Sequence, residues 1–440
     1  MLQKMHPVRS FSGRAGQKQV FDMSIFLKNV TFIDWQSHTI TTGHIRIKDG
    51  DQADFEFVDQ CPADALDCQG KIITKSFVCS HHHAYSALAR GMPLPAKSPK
   101  NFVEVLKYIW WNLDKKLDEE MIRASALVTG LNCLKNGVTF IIDHHSSPFA
   151  INNSLEILAT TFDEMGISHL LCYEMSARDG AASQTKGLEE SERYLQSYPG
   201  LVGLHASFTV GDDLMKSASE LAKRYDSGIH IHVAEDLADQ ENCQSMHKMR
   251  VIQRLEKFGI LDFPKTILGH CIHLNDTERS MLSKSNAWIA VNTESNLNNN
   301  VGLFSNKGGL EAKVLLGTDG MHSDMLRSAQ FNYFCHKDQD ELSVPDFYLR
   351  LRRAHHYLRS NNFRGDSDNN FVILNYDSPT AVTSDNWPGH VFYGLTSNHV
   401  ESVISNGEWV VKERKLVKKN EDEILAFANE QAVRLWERLT

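Results

Sequence analysis

The sequence predicts an α/β protein: a (β/α)8 TIM-like barrel with a small flanking β-sandwich built from the N- and C-terminal segments. Three observations predict it. Eight short β-branched runs alternate with longer helical stretches through the middle of the chain. Strand-like alternation of apolar and polar residues precedes these runs and returns after them. The 440 residues hold a barrel of roughly 250 residues and a smaller second unit.

Residues 1–22 carry Lys4, Arg9, Arg14 and Lys18 without an apolar stretch, which argues against a secretory signal and for a disordered extension. SIFLKNVTFID, TITTGHIRIKDG and ADFEFVD then alternate as strands. Residues 23–75 are expected to join 366–420 in the sandwich, with the barrel spanning 76–365. The barrel strands are read at 77–83, 138–143, 168–174, 201–207, 228–235, 266–273, 287–294 and 313–320. A long connection with Leu106, Trp110 and Trp111 leaves the first of them, where a lid belongs. NNFVILNYD and HVESVISNGEWVV restore the strand rhythm, with Asn406-Gly407 as a hairpin turn. Residues 421–440 close the chain as an amphipathic helix carrying Ile424, Phe427, Ala428, Leu435 and Leu439 on one face.

Composition narrows the function. A net charge of −9 argues against nucleic acid or an anionic membrane as partner. No apolar run reaches the ~18 residues of a membrane span. Eight cysteines without a C-x-x-C pair read as thiols of a cytoplasmic protein. The 21 histidines are the unusual count, and their positions matter more than their number.

They gather at strand ends. His81 and His83 end the first run and share a face, so both can reach one metal ion while His82 points away. His230 and His232 on the fifth run also share a face, and spacing does not choose between them. Glu235 lies three residues beyond His232, where a carboxylate can serve as acid or base beside a metal-activated water. His270 and His273 end the sixth run, and Asp319 ends the eighth. In a barrel these ends converge on one mouth, and three imidazoles with one carboxylate suit a divalent transition metal.

The segments SHHHAYSALARGM (80–92), IHVAED (231–236), GHCIH (269–273), ESNLNNNVG (294–302) and LGTDGMHSDM (316–325) resemble the amidohydrolase superfamily, in its branch of ring deaminases and chlorohydrolases. DHHSSP (143–148), LCYE (171–174), GLHASFT (203–209) and LTSNHV (395–400) are most similar to the aminohydrolase group called SsnA. The resemblance covers about 23–440.

The resemblance implies His81, His83, His232 and Asp319 as metal ligands, with His232 rather than His230 as the third histidine. It implies Glu235, His270 and Asp319 as catalytic residues, and His205, Ser295 and Asn296 as substrate contacts. His144, at the same mouth, is added as a candidate substrate contact. The reaction implied is deamination of a small nitrogen heterocycle, purine-derived among the choices, by attack of metal-bound hydroxide on a ring C–N carbon. Cyclic amide hydrolysis and dehalogenation would suit the same centre, and a catalytically silent homologue is the rival outside enzymology. LVGLHASFTV lacks the lysine of two-metal relatives, so one ion per chain is expected, zinc first and iron second. Assembly into a homodimer is a further implication.

Three stretches depart from the family pattern. Leu297-Asn298-Asn299-Asn300 replaces the usual lysine-leucine-alanine-serine after Ser295-Asn296, which argues against carrying over a substrate from adenosine-type or triazine enzymes. Lys75-Ser76 replaces the usual Pro-Gly before the first barrel strand, which is expected to change a turn and no ligand. LRRAHHYLRSNNFRGDSDNN stands where a glycine-rich segment is usual.

Overall fold

The computed structural model describes residues 24–439; the expected N-terminal extension, 1–22, lies outside them. Five strands come first: β1 (Ile25–Ile33), β2 (Ile40–Ile47), β3 (Phe55–Val58), β4 (Leu66–Asp67) and β5 (Ile72–Lys75). The eight expected barrel strands follow as β6 (Phe77–His82), β7 (Val138–His145), β8 (Ser168–Tyr173), β9 (Val202–Ala206), β10 (Ile229–Val233), β11 (Ile267–His270), β12 (Trp288–Val291) and β13 (Val314–Leu316). Four more complete the set: β14 (Phe371–Leu374), β15 (Val400–Ser405), β16 (Glu408–Lys412) and β17 (Lys415–Leu416).

Strands β6 to β13 are all parallel and neighbour one another in chain order, in one arc of three (β6-β7-β8) and one of five (β9 to β13). Single parallel bridges stand at both seams: His82 with Asp319 on one side, Leu171 with Gly200 and Met175 with Leu204 on the other. The alternation of side chains explains the layers. Val78, Phe140, Leu170, Ile267, Ala290 and Leu315, drawn from both arcs, pack into one buried cluster with Tyr357 and Leu358. Their out-of-phase neighbours Cys79, Ile141, Leu171, Leu268, Ile289 and Leu316 join the larger core that also takes in surrounding helices.

The N- and C-terminal strands form a single sheet in the order β17-β16-β15-β14-β5-β1-β2-β3, with β4 beside β1. The expectation was a sandwich; the ladder is one sheet that curls. Phe55 on β3 and Phe371 on β14 lie four strand places apart, ~19 Å on a flat sheet. Their rings are nevertheless 5.1 Å apart, inside a core with Phe32, Ile45, Ile73 and Ile404. The Asn406-Gly407 turn has the positive φ angles (51° and 82°) expected of such a hairpin. The C-terminal helix spans Glu421–Leu439 and buries Ile424, Ala428, Gln431 and Leu435.

Candidate metal centre

The candidate residues stand at, or a few residues beyond, the C-terminal ends of β6 to β13. Pleating places His81 toward the interior at the end of β6, and His83 follows one residue beyond it. Gly317 lets the last strand approach: a Cβ there would lie 2.8 Å from His81 Cβ and 2.4 Å from Asn292 Oδ1. Asp319 then turns inward with φ 51°, and His270 does so with φ 67°. Positive φ at non-glycine residues costs on the order of 1–3 kcal/mol each and is held only where the surroundings dictate it.

The ligand atoms of His81, His232, His270 and Asp319 lie within 4.8 Å of one another. His83 Nε2 is 2.9 Å from Asp319 Oδ1 and 3.1 Å from His232 Nε2. The backs of both rings are pinned. His83 Nδ1 donates to the His144 carbonyl at 2.6 Å, and His232 Nδ1 to the His205 carbonyl at 2.9 Å. A carbonyl only accepts, so each Nδ1 carries the hydrogen and each neutral ring turns a lone pair inward at Nε2. Two such lone pairs at 3.1 Å repel unless a proton or a metal ion lies against them. His81 Nε2 and His270 Nε2 are likewise buried at this centre without a hydrogen-bond partner. The donor set therefore fits a divalent transition metal, with back-side hydrogen bonds of the kind that orient metal-bound histidines. His230 lies behind: its Nε2 is 2.8 Å from His81 Nδ1. Geometry thus separates two histidines that spacing could not.

Electrostatics agree with a site for positive charge. Burial works against a second proton on His83, yet the facing Asp319 carboxylate lifts its pKa to about 9, so a metal ion would bind the neutral ring by displacing a proton from Nε2. Burial likewise opposes charge on Asp319, but the His81 and His83 rings hold its carboxyl well below the usual range. Ser295 Oγ donates to the second Asp319 oxygen. His270 Nδ1 donates to Asn296 Oδ1 at 2.7 Å, so its Nε2 also turns inward, 3.5 Å from Glu235 Oε2. Burial, with Asp319 adding to it and His270 opposing, pushes Glu235 up to about 7. Asn299 Nδ2 donates to the other Glu235 oxygen at 3.3 Å.

A cavity of about 760 Å³ opens over the centre. His83, His205, His232, Glu235, Ser295 and Asp319 line it. Phe102, Leu106, Trp110 and Trp111, from the long connection after β6, form an apolar wall. Leu106–Trp110 is a π-helical turn, an irregularity common at functional sites.

Three expected positions fall elsewhere. Asn296 is buried and holds His270 rather than the cavity wall. His273 lies past the end of β11 and faces the Val301 carbonyl at 2.8 Å. His144 does not reach the cavity; it is fully buried behind Glu174, its Nδ1 3.1 Å from Glu174 Oε2. Glu174 itself lines the cavity and was passed over, although the LCYE motif contains it.

The family model described as "Amidohydrolase family" matches residues 72–355. A 5′-deoxyadenosine deaminase of Methanococcus vannielii is 25% identical over 396 residues, 84% of this chain and 90% of that protein. A 5-methylthioadenosine/S-adenosylhomocysteine deaminase of Pelotomaculum thermopropionicum is 27% identical over 403 residues, 86% of this chain and 89% of that one. In fold, the chain is similar to a crystal structure of an adenosine deaminase from Xanthomonas campestris with bound zinc. That similarity has a TM-score of 0.80 at 15% identity, covering 93% of this chain and 98% of the other.

Proposed function

This chain belongs to the amidohydrolase family, with its TIM-barrel-like α/β fold, and we propose that it is a metal-dependent aminohydrolase that deaminates a small nitrogen heterocycle. The observation that carries the proposal is the pair of back-pinned rings, His83 and His232, whose Nε2 atoms face each other 3.1 Å apart beside Asp319. The names of the deaminase relatives support the reaction class and a purine-type ring.

His81, His83, His232 and Asp319 would hold one divalent ion, zinc first. Bound there, the ion supplies Lewis acidity that makes water a nucleophile near neutral pH. Asp319 accepts the proton that the attacking water gives up. His270, aimed by Asn296, orients the attacked atom with Nε2. Glu235, with a pKa of about 7, carries a proton to the ring nitrogen and then to the leaving amine. Water thus adds to the carbon, the C–N bond breaks, and ammonia leaves. Trp110, Trp111 and Phe102 shield the reacting ring from bulk water.

We also read β6–β13 as a closed barrel, supported by the interior cluster shared between the arcs, and the curled outer sheet as the small sandwich. The units follow as 23–75 with 366–420, 76–365 and the helix beyond 420. The SsnA-type motifs and a cytoplasmic setting complete the reading, the latter supported by six buried free cysteines, among them Cys79, Cys133 and Cys271. No helix among the described residues is long and apolar enough to cross a membrane.

The test is ammonia release by metal-loaded protein over purines, pterins and pyrimidines. Ammonia from one of these rings is expected. A carboxylate product without ammonia would replace the proposal with cyclic amide hydrolysis, and chloride from chlorinated rings would replace it with dehalogenation. No product from any of these classes would leave a silent homologue.

A further inference from the structure

Glu174 lies on the cavity wall but takes no part in the proton transfers assigned to Glu235, His270 and Asp319. It stands one residue past β8, and its side chain is 3% exposed. Oε2 faces His144 Nδ1 at 3.1 Å. The other ring nitrogen, Nε2, lies 3.2 Å from the Leu204 carbonyl and 3.1 Å from the His230 carbonyl. Carbonyls only accept, so Nε2 carries a hydrogen, while Nδ1 lies against the carboxylate. His144 is thus locked behind Glu174 by contacts at both ring nitrogens. Arg178 adds a cation 4.0 Å from Oε1, itself anchored by Asp114. Burial opposes the charge on Glu174, yet His205, His144 and Arg178 hold its pKa well below the usual range.

The arrangement is one-sided. Oε2 is taken up from behind, while Oε1 accepts no hydrogen bond among the described residues. Oε1 faces the cavity, so a ligand that donates to it there is favoured over one that leaves it without a partner. Position narrows the donor. A Glu174 oxygen lies within 4.8 Å of ring nitrogens of His83 and His232, so the donor must sit on the heterocycle near the reacting carbon. A second ion held by His83, His144, Glu174 and His232 is the competing use of the same atoms, but both His144 nitrogens are already engaged, Nδ1 with Glu174 and Nε2 with two backbone carbonyls.

We propose that Glu174 is a specificity-determining residue that accepts a hydrogen bond from an N–H of the substrate ring. The substrate is then a heterocycle with a second exocyclic amine close to the hydrolysed C–N bond, as in 2,6-diaminopurine, whose 2-amine adenine lacks. This deepens the aminohydrolase reading and rests on its placing of the reaction in the same cavity.

The experiment measures equilibrium binding by calorimetry to metal-loaded protein in the Glu235→Gln background, so that turnover does not intervene. The probes are 2,6-diaminopurine against adenine, and adenosine against 2′,3′-dideoxyadenosine. The expected result is binding of 2,6-diaminopurine at least ~10-fold tighter than adenine, with the sugar pair nearly equal. Adding Glu174→Gln should bring the purine ratio near one while metal content per folded chain holds. Equal purine affinities, or binding of neither, overturn the proposal. So does a ratio that Glu174→Gln leaves unchanged. A preference confined to the sugar pair reassigns the donor to a hydroxyl and also overturns it. Two ions per chain that fall to one on Glu174→Gln would make Glu174 a ligand instead. If Glu174→Gln fails to fold, the ratio with Glu174 intact decides alone. Discrimination without ammonia release by the wild-type protein would defeat the aminohydrolase reading and leave this inference standing; ammonia release without discrimination does the reverse.

Discussion

Two buried polar clusters sit at opposite ends of the same strands, and they are built on opposite principles. At the C-terminal mouth, His81, His83, His232, His270 and Asp319 converge, and inward-facing nitrogens on His81 and His270 are left without hydrogen-bond partners. At the N-terminal end, Lys75 lies 3.1 Å from Asp366 Oδ1 and donates to the Asp366 and Ser367 carbonyls. His355 Nδ1 donates to the other Asp366 oxygen at 2.8 Å, and Arg352 donates to the carbonyls of Lys75 and Ser76. This second cluster gives nearly all of its own polar atoms a partner; among them only His355 Nε2 lacks even an ion-pair contact. A cluster that closes on itself holds the outer sheet to the barrel. A cluster left open to its centre is fit for a ligand.

The comparison can be broken from the closed side first. Lys75→Met leaves Asp366 and His355 buried without their cation and should cost ~3–5 kcal/mol. The drop should appear in chemical denaturation, with metal content per folded chain unchanged. Loss of the metal from folded protein would mean that the two clusters are coupled. From the open side, Glu235→Gln should lower turnover by at least ~10²-fold while metal content and melting temperature stay as they are. Activity retained in that variant would remove Glu235 from the reaction.

Acid should separate the clusters as well. Burial opposes the charge on Asp366, but His355 and Lys75 hold its pKa at about 2, below the ordinary 3.8. A depressed carboxyl stabilises the fold above its ordinary pKa, and that contribution, on the order of 2 kcal/mol, is lost as the pH falls from about 4 to about 2. His355 acts earlier. Burial lowers its pKa to about 4, so the fold favours the neutral ring and loses stability as the pH drops from about 6.5 toward 4. Melting temperatures across pH 7 to 2 should flatten in the lower window for Asp366→Asn and in the upper one for His355→Gln. Slopes identical to the wild type would show that neither group titrates as its contacts imply. The smallest effect concerns His230, which backs His81 at 2.8 Å. His230→Phe should weaken metal affinity by ~10–100-fold in chelator competition without removing the site.

How much of this was legible in the sequence follows the same division. His81, His83, Glu235, His270 and Asp319 stand out because each ends a β-branched run, and strand ends of a barrel share one mouth. His230 and His232 were indistinguishable by spacing, because a period of two turns both inward and only depth separates them. Glu174 was invisible as an acceptor: a glutamate past a strand reads like a solvated one, and its partners His144 and Arg178, with Asp114 behind, come from separate segments. Lys75 was read as a changed turn, and LRRAHHYLRSNNFRGDSDNN as an anomaly elsewhere. They are one feature, since Lys75 meets Asp366, His355 and Arg352. Strand alternation found β1–β3 and β14–β16 but carried no sign that their sheet curls until Phe55 meets Phe371.

The central claim is that the open cluster is a metal site. Elemental analysis of protein purified without a histidine tag, paired with His232→Ala, tests it most directly. About one divalent transition-metal ion per chain is expected, lost or strongly reduced in the variant while the fold persists. No bound metal after reloading the wild-type protein, or full occupancy retained in His232→Ala, would contradict it.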